Sequence, residues 1–168
     1  MRSIDDLTGT YPRGPGHVEL KREIARARRT QQSFALAFVD VDGLKAVNDS
    51  AGHGAGDQML REVAHELRAQ VRDYDVIVRH GGDEFLWALP GMSLDEAHAR
   101  IDHVRTALAN DPNSSTVSAG LAVLQDGDSL ETLIARADQA LYAQRSERTR
   151  SGVPGQNTAR DSSLAQAP

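Results

Sequence analysis

Asp40 and Asp42 close the apolar run Phe34-Ala35-Leu36-Ala37-Phe38-Val39, and Asp83 and Glu84 stand at the head of Phe85-Leu86-Trp87-Ala88-Leu89. A carboxylate at the end of a buried strand is costly unless it is solvated, paired or bound to a metal ion. If the two runs pair side by side, the four acids gather at one rim of a sheet, and a divalent cation is the usual relief for such self-repulsion. Oxygen-only donors suit Mg²⁺ or Mn²⁺ rather than zinc. Mg²⁺ held in this way is typical of sites that handle nucleotide phosphates, with Lys45 close by as a point charge for phosphoryl oxygens. The same acids would be equally ordinary as solvated loop ends, and composition does not choose between the two. A helix–loop–helix calcium site is a poor fit, because Leu44 and Lys45 stand where a ligand and the turn glycine are required.

Elements must position these groups. Val76-Ile77-Val78 and Phe85-Leu86-Trp87-Ala88-Leu89 read as short buried strands, and Gly81-Gly82 between them predicts a tight hairpin whose glycines take positive φ. Residues 1–16, with prolines and glycines, read as irregular. Helical periodicity runs from about 17 to 31, with Leu20, Ile24 and Ala27 on one face and Arg22, Arg26 and Arg29 solvated. A short helix follows Asp42, which is expected near its N-cap. Residues 50–57 read as a glycine-rich loop opening a long helix with Met59, Leu60, Val63, Ala64, Leu67 and Val71 on its apolar stripe. Ser93-Leu94-Asp95-Glu96 is a capping box in front of another helix, with Leu94, Ala97, Ile101, Val104 and Leu108 as its stripe. Residues 116–124 form a further strand, and the last helix buries Leu130, Leu133, Ile134, Ala137 and Leu141. The order predicts an α+β fold: a largely antiparallel sheet covered by helices. Residues 150–168, rich in Ser, Gly, Ala, Pro and Gln, read as a disordered tail behind a domain over 1–149.

Composition narrows the function classes. At 168 residues one domain is expected. The chain has no cysteine, so disulfides and thiolate metal sites are excluded. A formal net charge of −5 and 4% aromatic residues argue against a nucleic-acid partner, which would want a basic excess or a stacking platform. No apolar run approaches the ~20 residues of a membrane span. Met1–Asp6 lacks the apolar core of a signal peptide, so a cytoplasmic protein is expected.

Just upstream of the central hairpin, Arg72 and Asp75 stand three apart. This is either a surface ion pair of little worth or a fork for a phosphate and a guanine edge. His53 alone would more often be a structural loop residue than a ligand.

The ordered set of motifs resembles the GGDEF domain of bacterial diguanylate cyclases, which join two GTP molecules into cyclic di-GMP. Gly81-Gly82-Asp83-Glu84-Phe85 is the complete name-giving motif. Asp5-Asp6-Leu7-Thr8-Gly9, Asp40-Val41-Asp42-Gly43-Leu44-Lys45, Asn48-Asp49, Gly52-His53, Gly56-Asp57, Val117-Ser118-Ala119-Gly120 and Ala137-Asp138-Gln139-Ala140-Leu141-Tyr142 follow the family order. The resemblance implies the palm-like sheet shared by nucleotidyl cyclases and some polymerases. It implies metal ions on Asp40, the Val41 carbonyl and Asp83, with Glu84 sharing that role. Asp83 is the favoured acceptor of the 3′-hydroxyl proton, and Lys45 would stabilise charge on the phosphates. Asn48 and Asp57 would bond the guanine edge, with His53 against the nucleotide. Arg145, in place of the family's lysine, would meet the terminal phosphates, and Arg72 with Asp75 would form an inhibitory product site. Catalysis would take place in a transient two-fold homodimer. Departures are Leu44 for a usual phenylalanine, His80 for a usual tyrosine, an altered Thr10–Gly14 segment, and Thr149 where an arginine is usual, with Arg148 and Arg150 beside it. The alternative reading is a catalytically weak domain that binds GTP or cyclic di-GMP as a regulator. A mononucleotide cyclase or polymerase palm would share the metal site but not Asn48, Asp57 and Arg72-x-x-Asp75.

Overall fold

The computed structural model describes residues 4–71, 75–113 and 115–151. Along the chain run β1 (Tyr11–Pro12), α1 (Arg13–Thr30), β2 (Phe34–Val41), α2 (Leu44–Ala51), α3 (His53–Ala69), β3 (Ile77–Arg79), β4 (Glu84–Pro90), α4 (Leu94–Asn110), β5 (Val117–Val123) and α5 (Leu130–Ser151). The sheet order is β1-β3-β4-β2-β5. Pairing is antiparallel throughout except for β1, which lies parallel to β3. The expected α+β architecture holds.

β2 is the central strand, flanked by β4 and β5, and its side chains alternate between two apolar layers. Phe34, Leu36 and Phe38 pack with Leu20 and Ile24 of α1 and Leu133 and Leu141 of α5. Ala35, Ala37, Val39 and Val41 pack with Leu60, Val63 and Leu67 of α3 and Ile101, Val104 and Leu108 of α4. Both faces are therefore covered, which explains why the strands read as continuous apolar runs rather than alternating ones.

Several sequence expectations change. The first helix starts at Arg13, four residues earlier than its periodicity suggests. Pro15 is tolerated because the first-turn amides have no intrahelical partner to lose. Gly16 is needed there: a Cβ would stand 2.4 Å from Val78 Cγ1, so only glycine lets α1 lie on β3. The glycine-rich segment is not a loop. α2 runs to Ala51, Gly52 turns the chain at φ +85°, and α3 begins at His53. Leu94 is 43% exposed rather than part of the α4 stripe. The capping box is formed: Ser93 N donates to Glu96 Oε2 at 2.7 Å, and Glu96 N donates to Ser93 Oγ at 3.3 Å. α5 extends to Ser151, and residues 152–168 lie outside the described residues. Among the described residues no helix is long and apolar enough to cross a membrane.

Candidate active site

The register of the sheet assembles the acids. Asp40 faces Glu84 across β2 and β4, and faces Ser118 across β2 and β5. Directly opposed residues project to the same face, so Asp40 and Glu84 share the rim at the end of the Phe34, Leu36, Phe38 row. Burial raises the Asp40 carboxyl above its ordinary range, opposed by Arg145 and reinforced by Asp83 and Asp42. Burial likewise raises Glu84, with Asp40, Asp83 and Asp138 adding repulsion. Among the described residues no three acidic or histidine side chains stand close enough to share one ion. The donor chemistry still fits a hard divalent cation, because these oxygens are partly buried and mutually repelling, and Arg145 is the one cation bonded to Asp40 and Asp42 among the described residues. Val41 is tied to the same corner, its N–H donating to the Asp83 carbonyl at 2.9 Å.

The hairpin is built differently from the expected glycine turn. Neither Gly81 nor Gly82 takes positive φ. The loop is closed by its backbone, with the N–H groups of His80 and Gly81 both donating to the Glu84 carbonyl. Arg79 adds a strap: Nη2 donates to the Gly82 carbonyl at 3.1 Å, and Nη1 reaches both Asp5 carboxylate oxygens at 3.3 Å. Gly81 makes room instead of bending, since a Cβ there would stand 2.5 Å from Glu84 Oε2. Asp5 is held in turn by the N–H and hydroxyl of Thr8. The N-terminal Asp-Asp-Leu-Thr-Gly segment thus anchors the hairpin turn through Arg79, a contact its sequence did not disclose.

Asp42 does not cap α2; Gly43 occupies the N-cap with φ +74°. The Asp42 carboxylate is engaged by the hydroxyls of Ser118 and Thr116 at 2.7 and 3.1 Å, and by Arg145 at 3.4 Å. Arg145 also bonds Asp40 at 3.2 Å. The base-binding candidates lie on the α2–α3 pair. Asn48 is packed so closely on Gly56 that a Cβ there would meet Asn48 Oδ1 at 1.8 Å, which sets Asn48 beside the segment carrying Asp57. Lys45 and His53 are exposed and Asp57 is half-buried. Asp75 lines a cleft of about 470 Å³ with Arg26 and Arg100; Arg72 lies outside the described residues.

Beneath the hairpin two imidazoles stack, a feature the sequence gave no reason to pair. His17 of α1 and His80 have ring centroids 5.3 Å apart, with His17 Nε2 and His80 Nδ1 at 3.2 Å. Burial lowers both from the ordinary 6.5, and Arg13 adds to it. Lys21 and Glu131 oppose one another at His17, while Asp138 favours the charged form of His80. A depressed histidine stabilises the fold above the unfolded pKa, and that contribution is lost progressively as pH falls from about 6.5 through the lower folded value. The melting temperature should therefore drop by a few degrees between pH 7.5 and 5.5, and His80→Tyr should flatten that drop. Parallel melting curves for the two proteins would remove the histidine pair from the account.

The fold and this rim define a nucleotidyl-cyclase-type palm. Residues 2–151 match the family model described as diguanylate cyclase, GGDEF domain, and the chain belongs to that family. It is 39% identical over 154 residues to diguanylate cyclase DgcP of Pseudomonas aeruginosa, a match covering 87% of this chain and 23% of that protein. It is 37% identical over 130 residues to diguanylate cyclase DosC of Escherichia coli, covering 73% and 28%. The chain thus spans about a quarter of the length of these curated relatives. Among solved structures, the GGDEF domain of DgcB from Caulobacter crescentus, in complex with c-di-GMP, superposes with a TM-score of 0.79 at 30% identity, covering 86% of this chain and 88% of that one. Diguanylate cyclase SiaD of P. aeruginosa, in complex with its activator SiaC, gives 0.77 at 35% identity, covering 89% and 58%.

Proposed function

We propose that this domain condenses two GTP molecules into cyclic di-GMP with release of two pyrophosphates. The observation that carries the reading is the register that sets Asp40 opposite Glu84 at the rim beside the complete GGDEF turn. Asp40, Glu84, Asp83 and the Val41 carbonyl would hold Mg²⁺ or Mn²⁺, which when bound would neutralise phosphate charge and lower the pKa of the attacking hydroxyl. In each half-reaction a 3′-oxygen bonds to the α-phosphorus of the other nucleotide, the bond to pyrophosphate breaks, and the hydroxyl proton passes to an ionised carboxylate. Asp83 is the proposed acceptor. Lys45 and Arg145 would stabilise charge on the phosphates. Asn48 and Asp57 would bond the guanine edge, and His53 would lie against the nucleotide. A carboxylate at Asp57 accepts from guanine's imino and amino groups, whereas adenine offers no matching donors and would leave it unpaired.

One domain carries one such rim, so the reaction needs two domains face to face, each presenting its hydroxyl to the other's α-phosphate. The catalytic species is a transient homodimer. The product would act as an inhibitor held by Arg72 and Asp75, and the DgcB GGDEF domain solved in complex with c-di-GMP supports the binding of this ligand to a domain of this fold.

Incubation of the purified chain with GTP and Mg²⁺, with nucleotides identified by mass, should give cyclic di-GMP, at a rate per chain that rises with protein concentration. ATP should yield far less product. Absence of product from GTP, with cyclic di-GMP still bound, would establish the regulatory alternative. In a second assay, Arg72→Ala should relieve product inhibition and leave initial turnover in place; unchanged inhibition would return Arg72 and Asp75 to a surface pair.

A further inference from the structure

The side chains of Asp42, Thr116, Ser118 and Arg145 meet over the rim in a pattern that metal binding alone does not require. Ser118 Oγ and Arg145 Nη2 both donate to Asp42 Oδ1, at 2.7 and 3.4 Å, and Thr116 Oγ1 donates to Asp42 Oδ2 at 3.1 Å. The Asp42 N–H donates to the Thr116 carbonyl at 2.9 Å, fixing the backbone as well. A carboxylate offers about four lone-pair positions, and three are used. Asp40, by contrast, receives among the described residues the other arm of the same guanidinium, at 3.2 Å. The Asp40 side chain is 14% exposed, Asp42 29% and Arg145 43%. One acid is spoken for, and the other is covered by a group that can leave.

We propose that Asp42, Thr116 and Ser118 are positioning residues that hold Arg145 across Asp40, and that Asp42 serves this clamp rather than ligating metal. The planar fork of arginine suits this task, because its two arms can engage separate acceptors while the plane stays fixed. When a cation takes Asp40, the Asp42 arm stays in place and the freed arm is turned toward the anionic part of the ligand. Arg145 is thereby a counter-ion before the metal arrives and a phosphate donor afterwards. A lysine at this position carries the same charge but cannot span both acids. The inference rests on the nucleotide reading of the site, and its tests are chosen to be independent of turnover.

The first measurement is Mn²⁺ affinity by electron paramagnetic resonance, without nucleotide. Asp40→Asn should abolish binding. Arg145→Lys and Ser118→Ala should bind Mn²⁺ about threefold more tightly than the unaltered protein, the size expected for release of a partly exposed ion pair. An affinity for Arg145→Lys equal to that of the unaltered protein would mean that only the charge matters, and a loss in Ser118→Ala would mean that Asp42 is itself a ligand; either overturns the clamp. The second measurement is calorimetric binding of GTP and GMP with the metal present. Both variants should bind GTP about tenfold more weakly, with GMP unchanged, since GMP lacks the terminal phosphates. Equal losses for both nucleotides would show a merely structural role. If the unaltered protein binds Mn²⁺ and GTP yet makes no cyclic product, the catalytic reading fails while these affinities still decide the clamp.

Discussion

Glu84→Gln will lower turnover of GTP by about a thousandfold or more and will raise the melting temperature of the metal-free protein. The two effects have one cause. Burial and the neighbouring charges of Asp40 and Asp83 raise the Glu84 carboxyl above its ordinary 4.5. A carboxylate whose folded pKa is raised destabilises the fold when ionised, and that cost appears as pH rises through the ordinary glutamate range. Glutamine keeps the shape and removes the charge, so the repulsion with Asp40 disappears together with the proposed metal ligand. The comparison is made by thermal melts in chelator at pH 7 and again near pH 4, where the unaltered side chain is itself protonated and the difference should shrink. A lower melting temperature at pH 7 would mean that the acids are not in mutual conflict, and full turnover in the variant would remove Glu84 from the site. Stability given up for function at a charged rim is a general expectation for catalytic clusters.

Gly120→Ala will destabilise the domain by about 3 kcal/mol, a fall of roughly 10 °C in melting temperature. An added Cβ would lie 2.1 Å from the Ala137 carbonyl oxygen and 2.2 Å from the Leu141 nitrogen. Both are helix backbone, so no side chain can rotate away to absorb the methyl; α5 must lift from β5 or the strand must bend. Arg145 stands one turn beyond Leu141, so a lifted helix also draws its guanidinium away from Asp40 and Asp42. The affinity for GTP should therefore fall at temperatures where the variant is still folded. Denaturant melts and nucleotide titrations measure the two losses, and unchanged stability would show that the helix–strand contact is looser than its backbone separation indicates.

What the sequence disclosed follows the reach of its patterns. The apolar runs of β2, β4 and β5 and the spacing of Leu20, Ile24 and Ala27 were legible because burial writes itself into local periodicity. The grouping of Asp40 with Glu84 was legible because each ends or begins such a run, and pairing the runs brings their ends together. Other features depend on partners distant in the chain. Pro15 and the glycines of residues 12–16 look like breakers, and only the docking of α1 on Val78 makes Gly16 a contact rather than a bend. Gly81-Gly82 invited a positive-φ turn, yet the room needed by the Glu84 carboxylate explains Gly81. Arg79 and Thr116 are ordinary donors whose acceptors, Asp5 and Asp42, lie 74 residues away in the chain, so local pattern does not mark them. Ser118 could have been suspected, as a hydroxyl in an otherwise apolar strand that must face some acceptor.

α2 contributes no buried residue to either apolar layer, and its two ends are glycines at φ +74° and +85°. With so little apolar surface committed, its free energy of local opening must lie far below that of the sheet it adjoins. The proposed base contacts are therefore split between elements of unequal constraint: Asn48 rides on the short segment between the two glycines, whereas Asp57 stands on the well-packed α3. Leu44 packs against the core and Asn48 against Gly56, so substitutions at the exposed Lys45, Ala46 and Asp49 should cost little global stability while those two contacts hold α2 in place.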